Sequence, residues 1–277
     1  MFADYASITA SNNDIVELEK TVNSDLNNLE KWLIANKLSL NSTKTEYLII
    51  GAKQMNKNFL TSNLHIAIGN YVINRIYEYE SLGLIIDQHL SWRSNTDKIC
   101  KKVAAGISAL RKLKQYTDKQ TLISIYNALV HPYFTYCCEV WSVFGETQSK
   151  RPQKLQNRAA KMIISMGNVV DHCNALQELK WEPLEILRKK AKAKLMFKLL
   201  KNSGPNSLTR LFTYKKDITD YNLRNITSCL NVPMPSTNSL KKSFAYDGAS
   251  VWNSIPAEIR NSKSVSLFQK KIAACIL

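Results

Sequence analysis

The apolar period of this chain changes at Trp92, and that change dictates two kinds of structure. Upstream, one amphipathic stretch is followed by short alternating runs. From Asn13 to Asn36, Leu18, Val22, Leu26, Leu29 and Leu33 step by three or four, as one face of a helix does. Asn13 or Asp14 supplies its cap, with Glu17 placed to answer Asp14 in a capping box. "TEYLIIG" (45–51) reads as a strand ending at a glycine. In "LHIAIGNYVINRI" (64–76), Gly69-Asn70 separates two alternating runs, which predicts a hairpin. "SLGLIID" (81–87) reads as a third strand. The stretch up to Asp87 is therefore β-α-β-β-β, and the expected fold class is α+β.

Downstream the spacing is helical. Ile99, Val103, Gly106/Ile107, Leu110 and Leu113 form a stripe, with Lys98, Lys101, Lys102, Arg111, Lys112 and Lys114 off it. Thr117 or Asp118 caps a second helix through "LISIYNALVHPYFTYC", where Pro132 requires a kink or a restart. "KLQNRAAKMIISM" (154–166) and "PLEILRKKAKAKLMFKLLKN" (183–202) predict two more helices. The latter has proline in its first turn and lysine at nearly every solvent-facing position. From Ser203 onward, Gly204-Pro205, Pro233, Pro235 and Pro256 break the chain into short pieces. The expected division is 1–92 mixed, 93–202 basic and helical, and 203–277 irregular.

Charge sharpens the same boundary. Residues 1–97 carry 8 Lys/Arg against 11 Asp/Glu, residues 98–201 carry 20 against 7, and residues 202–277 carry 10 against 4. An excess that begins at Lys98 points to a polyanionic partner, nucleic acid first, although cationic helices also suit anionic membranes. No apolar run reaches the roughly 18 residues of a membrane span. The first residues lack the features of a signal peptide, so an intracellular setting, nucleus or cytoplasm, is expected. The six cysteines (100, 137, 138, 173, 229 and 275) show no disulfide framework and read as small buried hydrophobes. Cys137-Cys138 and His172-Cys173 lack the repeated two-to-four-residue spacing of zinc ligands. His131 reads as a packed or capping side chain rather than a base, and the five tryptophans as core anchors. No phosphate-binding glycine loop is present, so no small-molecule cofactor is expected.

Taken in order, "FADY-A-S-I" (2–8), "NKLSLNSTKTEYLIIG" (36–51), the hairpin and "SLGLIIDQHLSW" (81–92) resemble the C-terminal half of the reverse transcriptase of non-LTR retrotransposons, jockey-like or related LINE elements. The resemblance continues through "LVHPYFTYCCEVWS" (129–142), "LQNRAAKMI" (155–163) and the segment 230–272. It implies a partial polymerase palm followed by a helical, thumb-like module and a C-terminal region. It also implies an RNA or DNA template–primer as partner, with no membrane. Oligomeric state stays open.

Such a polymerase joins a primer hydroxyl to a nucleotide through two Mg²⁺ ions about 3.5–4 Å apart, which need several carboxylates close together. The resemblance places Asp4 at the first acid of the family's F/Y-x-D-D turn and Tyr5 at the second. A phenol, neutral near pH 7, is a poor Mg²⁺ ligand. Lys44 matches a lysine thought to face the leaving phosphates, although a solvated lysine at a strand start explains it equally. Ser81-Leu82-Gly83 matches a primer-grip turn, with Ser in place of the aromatic. Lys98, Lys101, Lys102, Arg111, Lys112 and Lys114 fall on the thumb-like helix and suit phosphate contacts. The expectation is a truncated reverse-transcriptase remnant without productive Mg²⁺ binding. The alternative is a non-catalytic nucleic-acid-binding module.

Overall fold

A computed structural model describes residues 6–51, 64–143, 145–165, 175–201, 203–218 and 228–275. The chain forms two compact units, Met1–Ser94 and Asn95–Leu277. Asp4 and Tyr5, His172 and Cys173 lie outside the described residues.

In the first unit the periodic stretch is helix α1 (Ile15–Ala35). The Asp14 carboxylate caps it, accepting the backbone N–H of Val16 at 2.7 Å and of Glu17 at 3.4 Å. The reciprocal arm of the capping box does not form. Asn12 accepts the Asp14 N–H instead, and Glu17 pairs with Lys20 one turn on. Leu26, flanked by Val22 and Leu29, is buried against Ile66, Ile68 and Ile73. Trp32, expected in a core, is 48% exposed, because it points off the packed face.

Strand β1 (Glu46–Leu48) is followed by β2 (Ala67–Ile68) and β3 (Tyr71–Val72), which pair antiparallel around Gly69-Asn70. The positive φ of 55° at Gly69 is the backbone such a tight turn requires. β4 (Asn74–Ile76) pairs parallel with β1, Glu46 opposite Asn74 and Leu48 opposite Ile76. Asn23 of α1 ties into β2, donating to His65 O at 2.9 Å and accepting the Ala67 N–H at 3.0 Å. The expected third strand is a second hairpin, β5 (Glu78–Ser81) and β6 (Leu84–Asp87), with Leu82-Gly83 as its two-residue turn. Both turn residues have positive φ, 48° and 82°, the geometry of a type I′ turn. The strands make three two-stranded ladders among the described residues.

The second unit is helical. It begins within α2 (Arg93–Leu113), whose Ile99, Val103, Ile107 and Leu110 are buried as the stripe predicted. Asp118 caps α3 (Lys119–Leu129), accepting the Thr121 N–H at 2.8 Å. Pro132 forces a restart, and α4 (His131–Thr135) begins after Val130. α5 (Cys138–Trp141) buries Trp141. α6 (Glu146–Ile164) extends upstream of the expected start and carries Pro152 inside it. α7 (Ala175–Glu178) closes a small cluster with Ala160 and Ile164.

α8 (Leu184–Leu200) starts after Pro183, which serves as N-cap rather than as a first-turn residue. Its lysines are not all solvent-facing, because helices cover α8 on several sides. Lys190 and Lys192 are each only 5% exposed. Lys190 donates to Glu182 and to Ala273 O, and Lys192 to Asp247.

The tail is not an irregular appendage. α9 (Asn206–Thr209), α10 (Asn238–Lys241), α11 (Phe244–Ser254), α12 (Ala257–Arg260) and α13 (Val265–Ala274) follow α8. Met196, Phe197 and Leu199 of α8 share one buried cluster with Leu230, Trp252, Ile255, Phe268 and Ile272. The prolines punctuate short helices here without preventing a common core. The five described cysteines are all free thiols.

Candidate nucleic-acid interface

The first unit presents its candidate residues in different ladders. Lys44 is exposed and closes a single 3₁₀ turn, Ser42–Lys44, ahead of β1. Leu82, 60% exposed, stands at the tip of the β5–β6 hairpin with Gly83. Beyond β6 the chain wraps around a carboxylate that sequence reasoning does not single out. Asp87, 8% exposed, accepts the backbone N–H groups of His89 (3.2 Å), Ser91 (3.0 Å) and Trp92 (2.9 Å). Burial pushes its carboxyl up, but these donors and the Ser91 side chain outweigh burial and hold it below the ordinary value. The available signal is an Asp ahead of a polar turn, the Asx pattern of local backbone capture.

Asp87 is thereby a structural acid. Its oxygens are committed to the loop, so it does not fit as a ligand of a Mg²⁺ pair. Among the described residues, no three His, Cys, Asp or Glu side chains gather where a metal ion could be held.

The second unit gathers cations on helix faces. On α2, Arg93, Lys101, Lys102, Arg111 and Lys112 are exposed, while Lys98 and, one residue past the helix end, Lys114 are half-buried. Lys101, Ala105, Ser108 and Lys112 follow one another along a single exposed face. The side chains between the two lysines on that face, Ala105 and Ser108, are small. The opposite face, by contrast, is close-packed. A Cβ at Gly106 would stand 2.8 Å from Val130 Cγ2 and 3.4 Å from Leu129 O.

A second cationic row is hidden from the sequence pattern. Lys150, Lys154 and Arg158 of α6 are exposed at four-residue spacing, one face of the helix. The i, i+4, i+8 pattern is there, but the first of these residues lies upstream of Pro152, where the spacing does not predict a helix. α2 and α6 are joined at both ends. Arg151 pairs with Asp97, which raises the guanidinium pKa through that bond, and Lys114 donates to Ser165 Oγ at 2.9 Å. The order of these contacts makes the helices run in the same direction. Each of the two helices thus carries one exposed cationic row.

Burial pushes the Cys138 thiol up to about 12, raises Cys100 and Tyr126, and lowers His131. His131 is half-buried, its ring centre 6.2 Å from that of Tyr126, the setting of a packed histidine. Arg188, 5% exposed, lies over Trp141 at 4.9 Å, and burial lowers its pKa to about 10. Trp181 stacks on Tyr126 at 4.1 Å. Trp92, Trp141 and Trp252 are buried core residues, as expected. No described helix is long and apolar enough to cross a membrane.

The described residues thus form a mixed first unit and a helical second unit with exposed cations on α2 and α6. Comparison with known proteins narrows the ancestry. The RNA-directed DNA polymerase from mobile element jockey of Drosophila funebris is 21% identical over 165 residues, covering 58% of this chain and 17% of that protein. The probable RNA-directed DNA polymerase from transposon X-element of Drosophila melanogaster is 24% identical over 102 residues, covering 36% of this chain and 11% of that protein. The matches thus take in less than a fifth of either relative's length. No protein-family model and no solved structure matches the chain. The chain is a distant relative of retrotransposon RNA-directed DNA polymerases.

Proposed function

We propose that these 277 residues are a remnant of a non-LTR retrotransposon reverse transcriptase that does not polymerise by itself and keeps contact with a nucleic-acid template–primer. The observation that carries the reading is the similarity to two mobile-element polymerases, found in a chain whose exposed cations line α2 and α6. Lys101, Lys112, Lys150, Lys154 and Arg158 would contact phosphates, which fixes position without reading sequence. Lys98, Lys102, Arg111 and Lys114 lie at the margins of the α2 row, and Lys114 is already engaged with Ser165. The Leu82–Gly83 tip is the backbone element of the first unit that could press on a primer end.

Electrostatics supports the inactive half of the reading. Asp4 followed by Tyr5 offers one carboxylate where a Mg²⁺ pair needs several, and Asp87 is occupied by its own loop. Lys44 then has no transferring phosphate to serve and acts as a solvated lysine.

The test is primer extension beside a binding titration on the whole chain. We expect no dNTP incorporation with Mg²⁺, and template–primer binding that weakens linearly in log–log salt plots. Asp4→Asn should leave binding unchanged. Replacing Lys101, Lys112, Lys150 and Lys154 by Gln should weaken binding to all sequences alike and reduce the salt slope by roughly 0.9 for each phosphate no longer neutralised. Incorporation by the purified chain would overturn the inactive assignment, and salt-independent binding would overturn the interface.

A further inference from the structure

The second unit holds a cleft of about 300 Å³ that the α2–α6 interface does not use. It opens where the end of α8, the strand-like pair at Tyr214 and Leu230, and α12 converge. Among the described residues its charged lining is cationic: Lys201, Lys216 and Arg260. Three cations brought together without an acid among them repel one another, so the arrangement favours an anion between them.

Each cation is held in place by something other than a carboxylate. Lys201 Nζ lies 5.8 Å from the centre of the Phe197 ring, and Lys216 Nζ lies 5.5 Å from that of Tyr214. Arg260 is only 6% exposed. Its Nη1 donates to Ser228 O at 2.9 Å and to Cys229 Sγ at 3.1 Å, which orients the guanidinium. Its Nε is buried without a hydrogen-bond partner among the described residues. A buried charged donor left in that state is costly. Among the described residues, none of the three forms an ion pair with a carboxylate. Asp217, in the same 3₁₀ turn as Lys216, acts on Tyr214 but does not line the cleft.

The segment beside Arg260 is tied down by hydrogen bonds. Asn253 of α11 clamps the strand-like segment, accepting the Leu230 N–H and donating to Leu230 O, both at 2.8 Å. Trp252 Nε1 donates to Ser228 O at 2.9 Å, and Lys215 N–H to Cys229 O at 2.9 Å. Arg260 is therefore pre-positioned, which lowers the entropy lost on binding, while Lys201 and Lys216 are exposed at the rim.

We propose that this cleft binds a phosphate group, with Arg260 as its oriented fork and Lys201 and Lys216 as point charges. Its volume lies at the small end of ligand sites, which limits the ligand to a phosphate or a single nucleotide unit. The phosphate comes either from a free mononucleotide or from one unit of a nucleic-acid strand.

Calorimetric titration of the 277-residue chain with inorganic phosphate, AMP and a 5′-phosphorylated trinucleotide tests this, at constant ionic strength in chloride. We expect saturable binding of at least one probe, about tenfold weaker in Lys201→Gln/Lys216→Gln, as for loss of charge-assisted hydrogen bonds. Asn261→Asp, an exposed change at the cleft wall, should weaken it independently. Lys101→Gln/Lys112→Gln should leave the binding of phosphate and AMP unaltered. Trinucleotide binding counts for the cleft only where Lys201→Gln/Lys216→Gln weakens it, so failure of the α2–α6 interface and failure of this site are separable. Binding of AMP and phosphate assigns the free ligand, and binding of the trinucleotide alone assigns a strand. No saturable binding of any probe, or binding by the Lys201/Lys216 and Asn261 variants equal to that of the unaltered chain, overturns the proposal.

Discussion

The Asp87 carboxylate accepts the buried backbone N–H of Trp92 at 2.9 Å, five residues along the chain. The same side chain also takes the N–H groups of His89 and Ser91. The loop needs this support, since Leu90 and Trp92 both have positive φ, 48° and 59°. Left-handed backbone at such residues costs about 1–2 kcal/mol each. Asp87→Ala strands three donors and should destabilise the first unit by about 2–3 kcal/mol, read by urea unfolding. Asp87→Asn, which keeps one acceptor oxygen, should fall between. Because the folded state lowers this pKa, the contribution is complete above about pH 4 and is lost as pH falls through the folded value. The wild-type chain should therefore lose stability on acidification more steeply than Asp87→Asn in that window.

The β5–β6 turn allows a test of opposite signs at adjacent residues. Leu82 has a left-handed φ of 48° that Asn adopts more readily, and Gly83 has a φ of 82° that a Cβ opposes. Leu82→Asn should stabilise the hairpin by up to about 1 kcal/mol. Gly83→Ala should destabilise it by about 1 kcal/mol or more. Equal melting shifts in the same direction for the two variants would contradict the type I′ assignment.

Lys192 illustrates why a lysine-rich helix can sit inside a unit. Its side chain is 6% exposed and its ammonium pairs with Asp247 of α11, itself 31% exposed. Removing only the acid, as in Asp247→Ala, leaves a buried cation without its partner and should cost about 3–5 kcal/mol. Replacing both, Lys192→Met with Asp247→Leu, should recover most of that loss, since apolar pairs substitute well for buried ion pairs. Thermal melts of the three variants check the ordering.

Much of the local structure is legible in the sequence because it depends on near neighbours. The α1 stripe, the Gly69-Asn70 turn, the Asp118 cap and the Pro132 restart each follow from residues within a few positions of one another. The β5–β6 hairpin is not, because Leu occupies a left-handed position that usually goes to Asn or Gly. The buried state of Lys190 and Lys192 depends on Glu182 and Asp247, and the latter is 55 residues from its lysine. The α2 cations lie off the apolar stripe, as the helical spacing predicts. The α6 row is hidden by Pro152. The cleft formed by Lys201, Lys216 and Arg260 is invisible in sequence, because its cations come from separate segments whose meeting depends on the tertiary fold.

The prolines after Ser203 predict an irregular tail, and the packing found there instead makes the last prediction. Phe268 of α13 is fully buried and stacks on Phe197 of α8, ring centres 4.3 Å apart and planes 20° from parallel. Trp252 completes the cluster from α11, 6.2 Å from Phe268 and 6.3 Å from Phe197. If that core is shared, α8 cannot keep its stability when α13 loses its anchor. Phe268→Ala should cost about 3–5 kcal/mol, the range for deleting a buried aromatic ring. The loss should appear in the single transition that unfolds α8, followed by hydrogen exchange at Met196 and Phe197. Exchange at those amides that is unchanged while α13 alone becomes labile would show the tail to be an independent region. Phe268→Leu, which keeps most of the apolar volume, should lose far less, and that difference separates cavity formation from any general effect of substitution.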